Sequence, residues 1–186
     1  MPIPLGIFAT AGAGGAGGSA FELISTQLIS SATSSVTFSS IPATFKHLQI
    51  RMVARNATST GSPDLTFNGD TGFNYATHWL YGTGSSVASA GNAIGDIPNI
   101  PLTAHMSGNT ADANAFGVGI TDILDYANTS KNTTVRSLGG RHQGSSSNFI
   151  LIRSGFWNNT AAVTSIRIAG NDFAAGSRIS LYGIRG

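Results

Sequence analysis

Paired carboxylates are the residues of this chain that could do acid–base chemistry. Hydrolysis of a glycosidic bond needs two carboxyl groups a few ångströms apart, one of which holds a proton. Among the eight acidic residues, Asp122 and Asp125 are the closest in sequence. A spacing of three places two side chains on opposite faces of a strand, although on a helical turn they would converge. No second catalytic signature accompanies this pair, and we therefore expect no enzymatic activity.

Side chains that bind metals are equally sparse. The chain contains no cysteine, and its histidines lack the short spacings of metal-ligand pairs: His47, His78, His105 and His142. The segment 67–72 is rich in oxygen atoms, as calcium loops are, but it lacks the terminal glutamate of an EF-hand. A tight turn at Asn68-Gly69 explains the same residues. We expect no cofactor and no metal, with calcium binding between Asn68 and Gly72 as the alternative.

Nucleic acid and membranes are not expected partners. The net charge is only +2, and no cluster of lysine and arginine could follow a phosphate backbone. No apolar stretch reaches the length of about 18 residues that indicates a membrane-spanning helix. Four aromatic side chains could instead stack against the sugar rings of a host glycan: Trp79, Tyr81, Phe156 and Trp157. Aromatic residues at strand positions are more often buried in the core, which is the alternative.

Alternation of apolar and polar residues predicts β-strands along most of the chain. The clearest example starts at Phe45, where Leu48, Ile50, Met52 and Ala54 would share one face. The segment 115–126 is interpreted as a strand, with a helical turn as the alternative, and 83–114 is expected to be long loops with one or two short strands. About eight to ten short strands separated by turns predict an all-β fold for residues 21–186, a single antiparallel β-sandwich or jelly-roll-like domain.

Residues 1–20 differ from the rest of the chain. Four apolar side chains, Ile3, Leu5, Ile7 and Phe8, precede a run of glycine and alanine from position 11 to 18. Such a run is expected to be flexible, because glycine loses much conformational freedom when it is ordered. An apolar tip on a flexible leash predicts an extended N-terminal arm that anchors the protein to other subunits, with a frayed terminus as the alternative.

Several phrases of the sequence resemble a group of small structural proteins from the virions of tailed bacteriophages, cyanophages among them. The resemblance rests on FNGDTGFNY (67–75), HWLYG (78–82), ILDYANT (123–129), RSLGG (136–140) and SRISLYGI (177–184). The opening PLGI at 4–7, followed by the glycine and alanine run, is also similar to that group. None of these phrases is a catalytic motif, so the resemblance implies a β-rich, oligomeric component of a virus particle without assigning functional residues.

A non-enzymatic structural subunit of a phage virion is therefore the expected function. A capsid decoration or cement protein, attached through its N-terminal arm, is favoured because few charges and no cysteines suit a packed assembly. Its partners would be copies of itself, as a dimer or trimer, and the major capsid protein or tail proteins. The alternatives are a tail fibre, spike or knob subunit, a glycan-binding module for host attachment and, from other classes, a secreted lectin-like module or a hydrolase.

Overall fold

The computed structural model describes residues 19–58, 60–103, 106–144 and 148–186. These residues form twelve β-strands and no helix: β1 (Phe21–Leu28), β2 (Thr33–Phe38), β3 (His47–Ala54), β4 (Asp64–Phe67), β5 (Tyr75–Gly82), β6 (Val87–Ile97), β7 (Ile100–Pro101), β8 (Gly117–Leu124), β9 (Thr133–Arg141), β10 (Phe149–Trp157), β11 (Ile166–Phe173) and β12 (Arg178–Ile184). Within this part of the chain, no helix is therefore long and apolar enough to cross a membrane.

The strands form two antiparallel sheets that pack into a sandwich. The larger sheet has eight strands in the order β1-β12-β3-β8-β9-β10-β5-β6, and the smaller has four in the order β2-β11-β4-β7. One continuous apolar core joins them, with Val36, Leu65 and Ile168 from the small sheet and Ile50 and Leu181 from the large one. The predicted all-β antiparallel sandwich is thus confirmed, while the jelly-roll connectivity stays a prediction.

Strand β3 follows the predicted alternation. Leu48, Ile50 and Met52 are buried against the small sheet, whereas Arg51 and Val53 are exposed on the opposite face. Each buried side chain removes apolar surface from water, which contributes about 1.5–3 kcal/mol per fully buried residue before entropy is subtracted. The strand therefore lies with one face on the core because its sequence offers one apolar face.

Segment 115–126 is also a strand for most of its length, as predicted, since β8 occupies Gly117–Leu124. The strand ends where Asp125 adopts a left-handed backbone conformation, with φ of 48°, and begins a turn. On β8, Thr121 and Ile123 are buried, while Val118 and Ile120 on the alternate positions are exposed. Strand β8 therefore carries apolar residues on both faces, including the face that is directed away from the core.

The prediction for 83–114 was wrong in one respect. This segment contains β6, an eleven-residue edge strand that pairs with β5 in an antiparallel register. Its alanine, glycine and serine residues give no apolar alternation, and nearly all of them are exposed. The strand is ordered by backbone hydrogen bonds to β5 rather than by burial, a contribution that hydrophobic patterning cannot reveal.

Candidate partner-binding surface

The outer face of the eight-stranded sheet, on the side away from the small sheet, carries a continuous apolar surface. We call it the outer apolar patch; its side chains are 38–59% exposed: Val53, Leu80, Val118, Ile120, Leu138, Ile150 and Ile152. Single exposed apolar residues are common on proteins, whereas neighbouring large apolar side chains on one open face make that face a candidate interaction site. The patch is the strongest functional candidate in the described part of the chain.

Strand register assembles the patch in two rows. In the first, Leu80 lies opposite Ile152, which lies opposite Leu138 and then Ile120, on β5, β10, β9 and β8. In the second row, Ile150, Gly140, Val118 and Val53 follow one another from β10 to β3. Residues directly opposite in antiparallel strands have neighbouring side chains on one face. The rows therefore join into one surface although their members are up to about a hundred positions apart in sequence.

A groove crosses the patch. It has a volume of about 780 Å³ and runs over β1, β12, β3, β8, β9 and β10. Gly140 lies between Ile150 and Val118 in the second row and has no side chain, so the floor is low at that point. A side chain added at Gly140 would come within 2.8 Å of the carbonyl oxygen of Phe149. The glycine therefore allows close strand contact and leaves a concave surface above it.

A fixed polar border lies along one side of the patch. The guanidinium of Arg51 lies over the rings of Phe21 and Tyr182, at 5.0 and 4.5 Å from their centroids. Its Nε donates to Gln49 Oε1 at 2.7 Å, and Gln49 Nε2 donates to Asp122 Oδ1 at 2.8 Å. Because each of these groups is already held by a neighbour, the border is fixed, and its members Arg51 and Tyr182 also line the groove.

The two candidate catalytic carboxylates have separate surroundings. Asp122 lies on the outer face, where Arg136 donates to its Oδ2 at 2.7 Å. Asp125 lies in the turn after β8, where hydrogen bonds from Lys131 and Lys46 lower its pKa to about 2. A general acid must hold a proton near neutral pH, and Asp125 does not. Both carboxylates are held in ion pairs with basic side chains.

The histidines are spread over the molecule. His47 Nδ1 accepts a hydrogen bond from the backbone N–H of Asp125 at 2.9 Å. His78 is exposed on the outer face of β5, and His142 lies 3.5 Å from Asp112. His105 lies outside the described residues. Across the part of the chain that the structure describes, no three ligating side chains come together at a metal-binding distance.

The oxygen-rich segment from Asn68 to Gly72 is a hydrogen-bonded turn. Asn68 and Gly69 have φ values of 51° and 72°, the left-handed conformations that such turns need. The Asp70 carboxylate accepts hydrogen bonds from Gly72 N at 2.9 Å, Asn74 Nδ2 at 3.1 Å and Trp157 Nε1 at 2.8 Å. These N–H groups point at the oxygen atoms that a calcium ion would need, so the donor set favours the turn over a cation site.

The same hydrogen bonds control the ionisation of Asp70. Burial alone would raise the pKa of this carboxyl, but the donors Trp157, Gly72 and Asn74 outweigh it and hold the pKa below its ordinary value of 3.8. The charged form is therefore favoured in the folded protein. Its contribution to stability is complete above about pH 3.8 and is lost as the pH falls through the lower pKa of the folded state.

Replacing Asp70 with alanine is expected to lower the free energy of unfolding by about 2–3 kcal/mol, because the buried Trp157 N–H loses its acceptor. Urea denaturation at pH 7 measures this effect. The exposed Asp96, which accepts one hydrogen bond from Ala93, is the matched control, and the free energy of unfolding of its alanine variant should differ from that of the parent by about 0.5 kcal/mol or less.

Below pH 3.8 the Asp70 variant should lose stability less steeply than the parent. A melting temperature that falls in EDTA would instead indicate a calcium site.

The four aromatic candidates for a sugar platform do not share one surface. Trp157 is buried in the core, where it stacks on Tyr75 at 6.3 Å, and its neighbour Phe156 points to the outer face. Trp79 and Tyr81 occupy the inward positions of β5. The alternation of strand residues places Phe156 on the face opposite to the other three, and Trp157 is closed to a sugar ring because it is buried.

Arg153 is a buried charge that sequence reasoning passed over. It lies on the inward face of β10, is 7% exposed, and its guanidinium lies 4.7 Å from the ring centroid of Trp79. Burial lowers the pKa of Arg153 to about 10, against the opposing effect of Asp64. Burial likewise raises the pKa of Asp64, with Arg153 opposing it. The signal in the sequence was a lone arginine within the apolar run of β10.

The outer apolar patch also has a signal in the sequence, because two of its strands carry apolar residues at both outward and inward positions. The run FILIRSGFW on β10 places apolar residues at outward as well as inward positions, and GVGITDIL on β8 does the same. A strand that is apolar at both parities is typical of a sheet covered on both faces. The arm residues Ile3, Leu5, Ile7 and Phe8 lie outside the described residues, which start at Ser19, two positions before β1.

Comparison with known proteins gives no relative: no protein-family model matches the chain, and no curated protein or solved structure is similar to it.

Proposed function

We propose that this chain is a non-enzymatic structural subunit of a phage virion, and that it assembles through its outer apolar patch. The patch is the observation that carries the proposal, since seven large apolar side chains on one open sheet face lower their free energy when a neighbouring subunit covers them. The best candidate within this class is a capsid decoration or cement protein, whose location would be the virion.

The electrostatics of the chain support an assembled state. Only 10% of the residues are charged, so copies that approach one another meet little repulsion. Of the charged groups beside the patch, Asp122 and Arg136 form an ion pair, whereas the guanidinium groups of Arg51 and Arg178 line the groove. A partner that covers the patch would therefore leave these two guanidinium groups in water or supply acceptors for them.

The resemblance of five sequence phrases to small virion proteins of tailed phages supports the choice of particle. Two of these phrases include strands of the large sheet, HWLYG in β5 and SRISLYGI in β12, and a third, RSLGG, includes Leu138 and Gly140 at the patch. The proposed partners are copies of this chain and the major capsid protein. A tail fibre, spike or knob subunit is the alternative position in the particle.

Quantitative mass spectrometry of purified particles from a phage that encodes this chain is the test. A capsid decoration protein is expected at on the order of hundreds of copies, because it follows the symmetry of the shell, whereas a tail subunit would be present at about a dozen. Absence of the chain from particles purified through a density gradient would overturn the proposal.

A further inference from the structure

We infer that the groove in the outer apolar patch receives the apolar N-terminal segment, residues 3–8, of a second copy of this chain. The inference rests on the proposed function, because it names the contact by which the structural subunits would join. The segment contributes Ile3, Leu5, Ile7 and Phe8. The groove contributes five apolar side chains of the patch: Val53, Val118, Ile120, Leu138 and Ile150.

Pattern and charge match between the segment and the groove. Ile3, Leu5 and Ile7 recur with a period of two, and Pro2 and Pro4 restrict the backbone to extended conformations. An extended segment places alternate side chains on one face, at a repeat of about 6.6 Å. Residues 1–18 contain no charged side chain, and neither does the part of the groove over β8, β9 and β10, which is lined by Val118, Gly119, Ile120, Leu138, Gly139, Gly140 and Ile150.

The point at which the arm enters the sheet places it beside the groove. The arm leads into β1, the edge strand of the large sheet, where Phe21 contacts the guanidinium of Arg51 on the outer face. Ala20 is held there by a hydrogen bond from Arg185 N to its carbonyl oxygen at 3.1 Å. The arm therefore leaves each subunit at the rim of the surface that we assign as its acceptor.

The length of the linker allows the segment to reach a neighbouring copy. The ten residues between Phe8 and Ser19 span up to about 35 Å when extended. The groove above β8 is three strands from β1, a distance of only about 14 Å within one subunit. The linker is thus longer than the path to its own groove requires, and the excess length can span the contact to a second copy. If each copy donates one segment and accepts one, a reciprocal pair or a closed ring leaves no groove empty.

Disulfide trapping in the full-length protein tests the inference, because the chain has no cysteine of its own. One preparation carries Leu5→Cys and a second, tagged preparation carries Leu138→Cys in the groove. After mixing and mild oxidation, a disulfide-linked heterodimer is expected on non-reducing electrophoresis. The matched control replaces Leu138→Cys with Thr134→Cys, an exposed outward position on the same strand. Trapping should be about tenfold stronger at position 138, because docking raises the effective concentration of the thiol there.

Three outcomes would overturn the inference. Equal trapping at positions 134 and 138 would mean that the segment has no preferred site. A chain with both Leu5→Cys and Leu138→Cys that closes only on itself would assign the groove to its own arm. Ile3, Ile7 and Phe8 can also be changed to serine in the chain that carries Leu5→Cys. Trapping that persists in this variant would exclude apolar docking. If one of these outcomes occurred but the chain were present in particles at normal copy number, the proposed function would stand without the docking of the segment. Absence of the chain from particles, with specific trapping at position 138, would contradict the proposed function and not the docking.

Discussion

Replacing Ile50 with aspartate is expected to lower the free energy of unfolding by more than about 3 kcal/mol, which is enough to unfold many small domains. Ile50 is 1% exposed and lies between Leu181 of β12 and Thr121 of β8 in the centre of the large sheet. A carboxylate at this position would be buried without a partner, and it would also remove part of the core. Urea denaturation followed by tryptophan fluorescence measures the change.

Val53→Asp is the matched control for this experiment. Val53 lies on the same strand, three positions further on, and its side chain is 38% exposed on the outer face. In the dissociated subunit, at a protein concentration where it is monomeric, the same substitution keeps the carboxylate in water, so the free energy of unfolding should fall by no more than about 1 kcal/mol. If Val53→Asp proved more damaging than Ile50→Asp, the two faces of β3 would be assigned the wrong way round.

Charging the outer apolar patch is expected to dissociate the assembled protein while leaving its fold intact. The variant combines Ile120→Lys with Leu138→Lys, two residues that lie directly opposite each other on β8 and β9. Both side chains are about half exposed, so lysine is tolerated in the isolated subunit. In a contact with another subunit, the two ammonium groups would lose water without gaining a partner, which costs several kcal/mol.

Light scattering coupled to gel filtration measures this effect as a shift from oligomer to monomer. Phe73→Lys is the control, because Phe73 is an exposed apolar residue that lies in a turn outside the patch. It receives the same chemical change and should leave the oligomer unaltered. An unchanged oligomer in the patch variant, with an unchanged melting temperature, would show that the patch is not the contact between subunits.

Local sequence determined the class of fold and the faces of several strands. Alternation at Leu48, Ile50 and Met52 identified the buried side of β3, since a strand exposes successive residues to opposite faces. The dipeptide Asn68-Gly69 identified a tight turn, because both residues adopt left-handed conformations readily. These features depend on neighbours within a few positions, and a single sequence contains that information.

Strand order and the candidate site were decided only by tertiary structure. The hydrogen bond from Trp157 to Asp70 joins residues 87 positions apart, and no sequence pattern near either residue predicts it. Edge strand β6 is held by its pairing with β5 rather than by its own pattern. The outer apolar patch combines β3, β5, β8, β9 and β10, which are dispersed along the chain. Their side chains form one surface because antiparallel register aligns them, and register is a property of the folded sheet as a whole.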